Sequence, residues 1–501
     1  MSVARRPLRL DPDRLFPADP TVRSLARALF AEVAGLPIVS PHGHCDPAWW
    51  ADDEPFADPA SLLVTPDHYL LRMLTSQGVP LERLGVRPVT RNGHPRGQAP
   101  RVSVADPPAD PPAQPREIWR TFAEHYHLFR GTPSRIWMDH ALSEVFGVEI
   151  RLDAGSADET YDHIAAALDR PDFRPRALFD RFGIEFLATT ESPLDDLAHH
   201  RTIADSGWDG RVATAFRPDP VVDPDQPGFA TNVDRLGELT GEDTTTWNGY
   251  LAALARRRQF FIEHGATSTD HGHPSAVTCD LDPAEAARLF GRVRTSDHSS
   301  EEAERFRGQM LTEMVRMSLD DGLVVQLHPG SHRNHNPALF DRFGPDIGAD
   351  IPTRTDYVSA LAPLLARFGN EPDLTLVLFT LDESTYSREL APLAGHYPLL
   401  RLGAPWWFHD SVEGMRRFRR ATTETAGFAN TVGFTDDTRA FLSIPARHDM
   451  ARRVDCGYLA QLVAEHRLDE DEAAEVAVDL AHGLARRTYR VDDSGPGPRA
   501  G

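Results

Sequence analysis

Two histidines separated by one glycine, His42 and His44, follow directly on the apolar run Leu36-Pro37-Ile38-Val39-Ser40. Side chains at i and i+2 of an extended segment point to the same side. A His-x-His pair at a strand end can therefore grip one cation with two imidazoles. An acidic ligand would complete the set, and Asp437 stands just past another apolar run, in Phe434-Thr435-Asp436-Asp437-Thr438-Arg439. His328 ends a third run, Leu323-Val324-Val325-Gln326-Leu327, and is a further nitrogen candidate. Two or three nitrogens with one carboxylate suit Zn2+, with Mn2+ or Fe2+ as alternatives, and leave a coordination position open for substrate. One divalent ion is expected, held by His42, His44 and Asp437, with His328 ligating it or lying just behind.

Arginines form a second set. Arg217 in Phe216-Arg217-Pro218-Asp219, Arg333 in His332-Arg333-Asn334 and Arg439 all follow such runs. One arginine alone reads as a surface ion pair. Three at one rim read as a clamp, because the guanidinium fork matches a carboxylate or phosphate. Trp406 and Trp407 are readable either as core or as a stacking surface for a ligand. Asp270 and His271 are readable either as an acid/base pair or as support for one. His68, Tyr69 and Arg72 by themselves look like an ordinary helix start.

These residues need elements to bring them together. Short apolar or β-branched runs recur at Leu36–Ser40, Ile184–Thr189, Val212–Phe216, Ala266–Asp270, Leu323–His328, Leu374–Phe379, Leu399–Gly403 and Thr431–Thr435. Helical stretches separate them. Eight strands with helical connections predict an α/β fold, a (β/α)8 TIM-type barrel whose active site lies at the C-terminal strand ends. Nearly every run ends in a reactive or charged residue, which is the pattern such a mouth requires. Between the first and second strands, residues 48–180 predict a mostly helical insertion, with amphipathic stretches at Glu117–Phe129 and Arg135–Phe146. A Pro/Arg-rich stretch near 87–115 reads as a loop. The expected layout is 1–47 for the leading helix and first strand, 181–490 for the rest of the barrel, and 491–501 for a tail.

Composition narrows the chemistry. The 501-residue chain has no lysine, so its 53 basic residues are all arginine. That removes Schiff-base enzymes, Walker-type nucleotide hydrolases and metal pairs bridged by a carboxylated lysine. A net charge of -22 argues against a nucleic-acid or anionic-membrane surface. No run approaches the length of a membrane span. Three scattered cysteines and no apolar leader point to a reducing compartment, the cytoplasm.

Taken in order, these segments resemble the uronate (glucuronate) isomerase family, a divergent branch of the amidohydrolase superfamily. The resemblance rests on Leu36 to His44, Asp67-His68-Tyr69, Phe216 to Asp219 and Ser268-Thr269-Asp270-His271-Gly272. It continues through Gln326 to Gly330 with Arg333-Asn334, Gly403 to Phe408, and Asp437 to Ser443. It implies a (β/α)8 barrel that interconverts D-glucuronate with D-fructuronate and D-galacturonate with D-tagaturonate. It implies His42, His44 and Asp437 as metal ligands, with His328 in or near that shell. His68, Tyr69, Arg217, Asp270, Arg333 and Arg439 resemble the substrate and proton-transfer residues. Ser40 stands where the family usually has an acidic residue and Cys45 where it has a hydrophobic one; His332, the pair Asp436-Asp437 and the Pro/Arg-rich stretch near 87–115 also depart from its pattern. The competing readings are a metal-dependent hydrolase of a lactone or amide on the same barrel, and a non-catalytic sugar-acid binding protein. The partner is a small hexuronate, and a homo-oligomer is compatible with the sequence.

Overall fold

The computed structural model describes residues 6–89 and 113–491. Nine strands occur among them: β1 (Ile38–Ser40), β2 (Ile184–Glu191), β3 (Val212–Phe216), β4 (Ser268–His271), β5 (Val324–Leu327), β6 (Ser331–His332), β7 (Ile351–Pro352), β8 (Leu376–Leu378) and β9 (Leu400–Leu402). Seven of these form one parallel sheet in the order β1-β2-β3-β4-β5-β8-β9. Strands β6 and β7 pair antiparallel as a small ribbon beyond β5. The sheet curls into a TIM-type barrel.

The eighth strand expected over 431–435 is reduced to a single parallel bridge between Thr431 and Leu402. The cause is local. Gly433 and Asp437 adopt positive φ, 75° and 37°, which breaks an extended ladder. The segment still closes the barrel: Ser40 Oγ donates to Asp436 at 3.0 Å, and His44 N–H donates to the Thr438 carbonyl at 2.9 Å. Gly43 makes that approach feasible, since a Cβ there would lie 3.2 Å from the Thr438 oxygen.

Strand period two sorts the side chains. Val39, Phe186, Ala188, Ala213, Val324 and Val377 pack together inside the barrel. Tyr489 and Val491 join them from the C-terminal end of the described chain, and the Tyr489 hydroxyl donates to Gln326 at 2.7 Å. The alternate residues face outward. Ile38 and Leu187 pack under the helices that lie between β1 and β2, and Ile184 joins them where the β1–β2 register shifts at Ile38/Val39. Phe216 packs with the helices Phe229–Thr240, Trp247–Glu263, Pro283–Arg294 and Ser300–Asp321. Val325, Leu376 and Leu400 pack with the helices Val358–Phe368 and Val412–Ala426.

Between β1 and β2 the chain is helical, including His68–Ser76, Pro115–His125, Pro133–His140 and Ala157–Leu168. Most of the loop read at 87–115 and the tail after Val491 lie outside the described residues. No helix among the described residues is long and apolar enough to cross a membrane.

Candidate active site

Period two also decides which strand-end residues meet. On β5, Val324 and Gln326 face inward, so His328 does too. On β4, Ser268 faces inward against Gln326, and so does Asp270. The two meet: His328 Nδ1 lies 2.8 Å from Asp270 Oδ1. On β3, Ala213 faces inward and so does Arg217, whose Nη1 sits 3.0 Å from Asp270 Oδ2. Arg217 Nε also pairs with Asp219 at 3.0 Å.

His42, His44 and His328 surround one carboxylate. Their Nε2 atoms lie 3.6, 3.3 and 3.9 Å from oxygens of Asp437. The His42 and His328 rings stack at 4.7 Å, and Phe379 backs His328 at 4.0 Å. Donor atoms of His42, His44 and Asp437 fall within 4.8 Å of one another, as do those of His42, Asp270 and His328.

These residues fit a divalent cation. His328 Nε2 is buried and has no hydrogen-bond partner, while its Nδ1 is anchored on Asp270. A carboxylate behind a ligating imidazole fixes its orientation and raises its basicity. Burial pushes His42 down to about 4, although Asp437 and Asp270 oppose it. Burial also works against the charge on Asp437, but His42, His44 and His328 outweigh it and hold the carboxyl well below the usual range. A neutral imidazole at His42 and an ionised carboxylate at Asp437 are the protonation states that metal binding needs.

The helical segment after β1 supplies one wall. Asp67 caps the helix His68–Ser76, accepting from Tyr69 N–H at 2.8 Å and Leu70 N–H at 3.3 Å. Such a cap contributes about 1 kcal/mol and fixes the first turn, which carries His68 and Tyr69. Their rings stack at 4.6 Å, and Tyr69 packs edge-on against Trp137 at 5.5 Å. Burial, reinforced by Arg439, lowers the His68 pKa. Burial lifts the Tyr69 phenol far above its ordinary range against the pull of Arg447, so it stays protonated. The Asp437 charge acts on both side chains.

The two tryptophans differ in their surroundings. Trp406 is buried in the barrel core and meets the His328 ring edge-on at 4.8 Å. Trp407, with φ of 52°, faces His68 at 5.4 Å and Arg333 at 5.9 Å. Arg333 and Arg439 are held loosely. Arg333 lies 3.3 Å from Asp350 and its side chain is 39% exposed. Arg439 lies 3.6 Å from Asp346 and its side chain is 31% exposed.

The structure adds residues that the sequence reading passed over. Asp346 sits between Arg439, Arg333 and His68, on a connection with no periodic signal. Arg447 lies inside the helix Ile444–Ala464, 3.6 Å from the Trp137 ring centre and 5.5 Å from that of Tyr69. It forms an ion pair with Asp410, whose carboxyl burial pushes up to about 7 while Arg447 opposes. The neighbouring acids Asp436 and Asp437 point apart: Asp436 binds Ser40 and His448. Ser40 and Asp436 therefore touch each other. Glu191, at the end of β2, faces outward to Thr189, Thr214 and His200.

The profile of the glucuronate isomerase family matches residues 109–488. The uronate isomerase of Rhizorhabdus wittichii is 65% identical over 97% of this chain and 99% of its own length. That of Phenylobacterium zucineum is 62% identical over 99% of each. A crystal structure of glucuronate isomerase from Caulobacter crescentus superimposes with a TM-score of 0.92 at 57% identity, covering 98% of both chains.

Proposed function

The chain belongs to the glucuronate isomerase family and is an isomerase of a sugar acid, and from that premise we propose a mechanism by proton transfer through an enediol at the centre around Asp437. The substrates are D-glucuronate, giving D-fructuronate, and D-galacturonate, giving D-tagaturonate. The observation that carries this reading is the convergence of three imidazoles on Asp437, with Asp270 and Arg217 directly behind. The hydrolase and binding-protein readings are not favoured.

Converting an aldose to a ketose moves one hydrogen from C2 to C1 and one proton from O2 to O1. The ionised Asp437 takes the C2 proton and returns it to C1. Tyr69, kept protonated by burial, donates to O1 and recovers a proton from O2, so both groups end as they began. Zn2+, Mn2+ or Fe2+ bound by His42, His44, Asp437 and His328 would polarise the substrate oxygens and acidify C2–H. Arg217 is locked between Asp219 and Asp270, so it is preorganised for charge that develops in the reaction. Arg333 and Arg439 have looser partners and more exposure, which suits capture of the substrate carboxylate. His68 and Trp407 line the wall between them. Cys45, Cys279 and Cys456 are free thiols, which accords with a cytoplasmic enzyme.

The test is incubation of the Zn2+-loaded protein with each hexuronate in D2O, followed by NMR. Ketose carrying deuterium at C1 is expected, with incomplete incorporation where the site shields the proton. No ketose from any hexuronate would overturn the substrate assignment. Ketose formed with full retention of the C2 hydrogen at C1 would mean a hydride shift and remove Asp437 and Tyr69 from their roles.

A further inference from the structure

The spelling His-Gly-His occurs twice, at His42-Gly43-His44 and again at His271-Gly272-His273. The second copy is not part of the centre just described. Asp270 faces into the barrel, so by strand alternation His271 faces out of it. There it meets His273 and Asp219, and one donor atom from each falls within 4.8 Å of the other two. All three residues are buried: Asp219 is 6% exposed, His271 0% and His273 3%.

The polar atoms here lack partners. His271 Nε2 lies 3.1 Å from Thr269 Oγ1, but its Nδ1 has no hydrogen-bond partner, and neither nitrogen of His273 has one. A dry, unpartnered polar group costs on the order of 1–3 kcal/mol, and buried polar groups are nearly always satisfied. One nitrogen from each ring, with one carboxylate oxygen of Asp219, is a donor set that a cation would satisfy. The two rings stand at 84° to each other with centres 5.5 Å apart. Gly272 lets Asp219 and Arg217 close on the backbone between the two histidines, because a Cβ there would lie 2.9 Å from Asp219 Oδ2 and collide with Arg217. Asp219 already accepts from Arg217 Nε and from the Gly272 N–H. A carboxylate has about four lone-pair sites, so it retains capacity for a cation.

We propose that Asp219, His271 and His273 form a second, structural binding site for a divalent metal ion, outside the barrel wall and behind the catalytic centre. Two imidazole nitrogens and a carboxylate oxygen suit Zn2+, at ligand distances of about 2.0–2.2 Å with water completing the tetrahedron. The ion would fix Asp219 and, through it, Arg217.

The test is metal content. The full-length chain is loaded with excess Zn2+, freed of unbound ion by gel filtration, and measured by mass spectrometry. The wild type should carry two Zn2+ per chain. His42→Ala/His44→Ala/Asp437→Asn should carry one, and adding His273→Gln should remove it. In the triple variant Co2+ should give the visible absorption of a tetrahedral site, and His273→Gln should bleach it. One Zn2+ in the wild type would overturn the proposal and show that water satisfies these histidines. So would a folded triple variant, checked by circular dichroism, that binds neither ion. If the triple variant does not fold, the wild-type count of two or one decides.

Discussion

The arginines differ in what surrounds them, and their variants should differ accordingly. Arg217 is wedged between two carboxylates, Asp219 and Asp270, and removing it takes the guanidinium partner from both. Losing one partner of a desolvated charge pair costs roughly 2–5 kcal/mol, or about 30- to 5,000-fold in kcat/KM. Arg217→Lys should recover little, because a point charge cannot span both acids. Arg333 and Arg439 sit at the mouth against single, looser partners. Their alanine variants should lose about 10- to 150-fold, the worth of a hydrogen bond to a charged group, expressed mainly in KM. Steady-state kinetics on the better hexuronate separates the two classes. Equal losses in kcat for all three arginines would show that they share one role.

Strand alternation explains a second group of titratable residues. Glu191 ends β2 facing outward, where it accepts from Thr189 at 2.9 Å and from Thr214. Burial pushes its carboxyl from 4.5 up to about 8, with the two threonines opposing. Between those values the folded chain keeps a proton that the unfolded chain gives up. Stability from this group is therefore complete below about 4.5 and falls as pH rises toward 8, by up to ~1.4 kcal/mol per pH unit. Its neighbour His200, lowered by burial to about 4, acts in the other window, losing stability as pH falls below 6.5. Glu191→Gln should flatten the decline in apparent melting temperature between pH 6 and 8.5 and leave the acid side unchanged. An unaltered alkaline slope would mean that Glu191 is ionised in the fold. The same alternation marks what the sequence could show. Seven of the eight strands and the residues at their ends were legible, because buried parallel strands are continuous apolar runs and the polar residues after them stand out. Direction was not legible: Asp270 and His271 are neighbours in sequence, yet Asp270 faces into the barrel against His328 and Arg217 and His271 faces the other way. The last strand looked regular at 431–435, but the positive φ at Gly433 and Asp437 reduces it to one bridge. Arg447 was invisible because inside a 21-residue helix nothing distinguishes a buried arginine from a solvated one.

The whole chain carries a net charge of -22, yet its substrate is an anion. The general field of the protein therefore repels the molecule it must bind, and attraction is confined to the mouth, where Arg333 and Arg439 are partly exposed. The two effects have different ranges. At an ionic strength of about 0.01 M the repulsion reaches roughly 30 Å, but at about 0.1 M it is screened within roughly 10 Å. Contacts between a guanidinium and a bound carboxylate, desolvated and a few ångströms apart, are screened far less. Raising NaCl over that range should therefore leave kcat/KM level or raise it by about two- to threefold, with the change in KM rather than kcat. Arg333→Ala should steepen the rise, because it removes the local attraction and leaves the global repulsion. The measurement is initial rate against salt at fixed pH and saturating Zn2+. A fall in kcat/KM of more than about twofold for the wild type would mean that the mouth projects a positive field beyond its rim, and that the arginines steer the substrate from a distance as well as holding it.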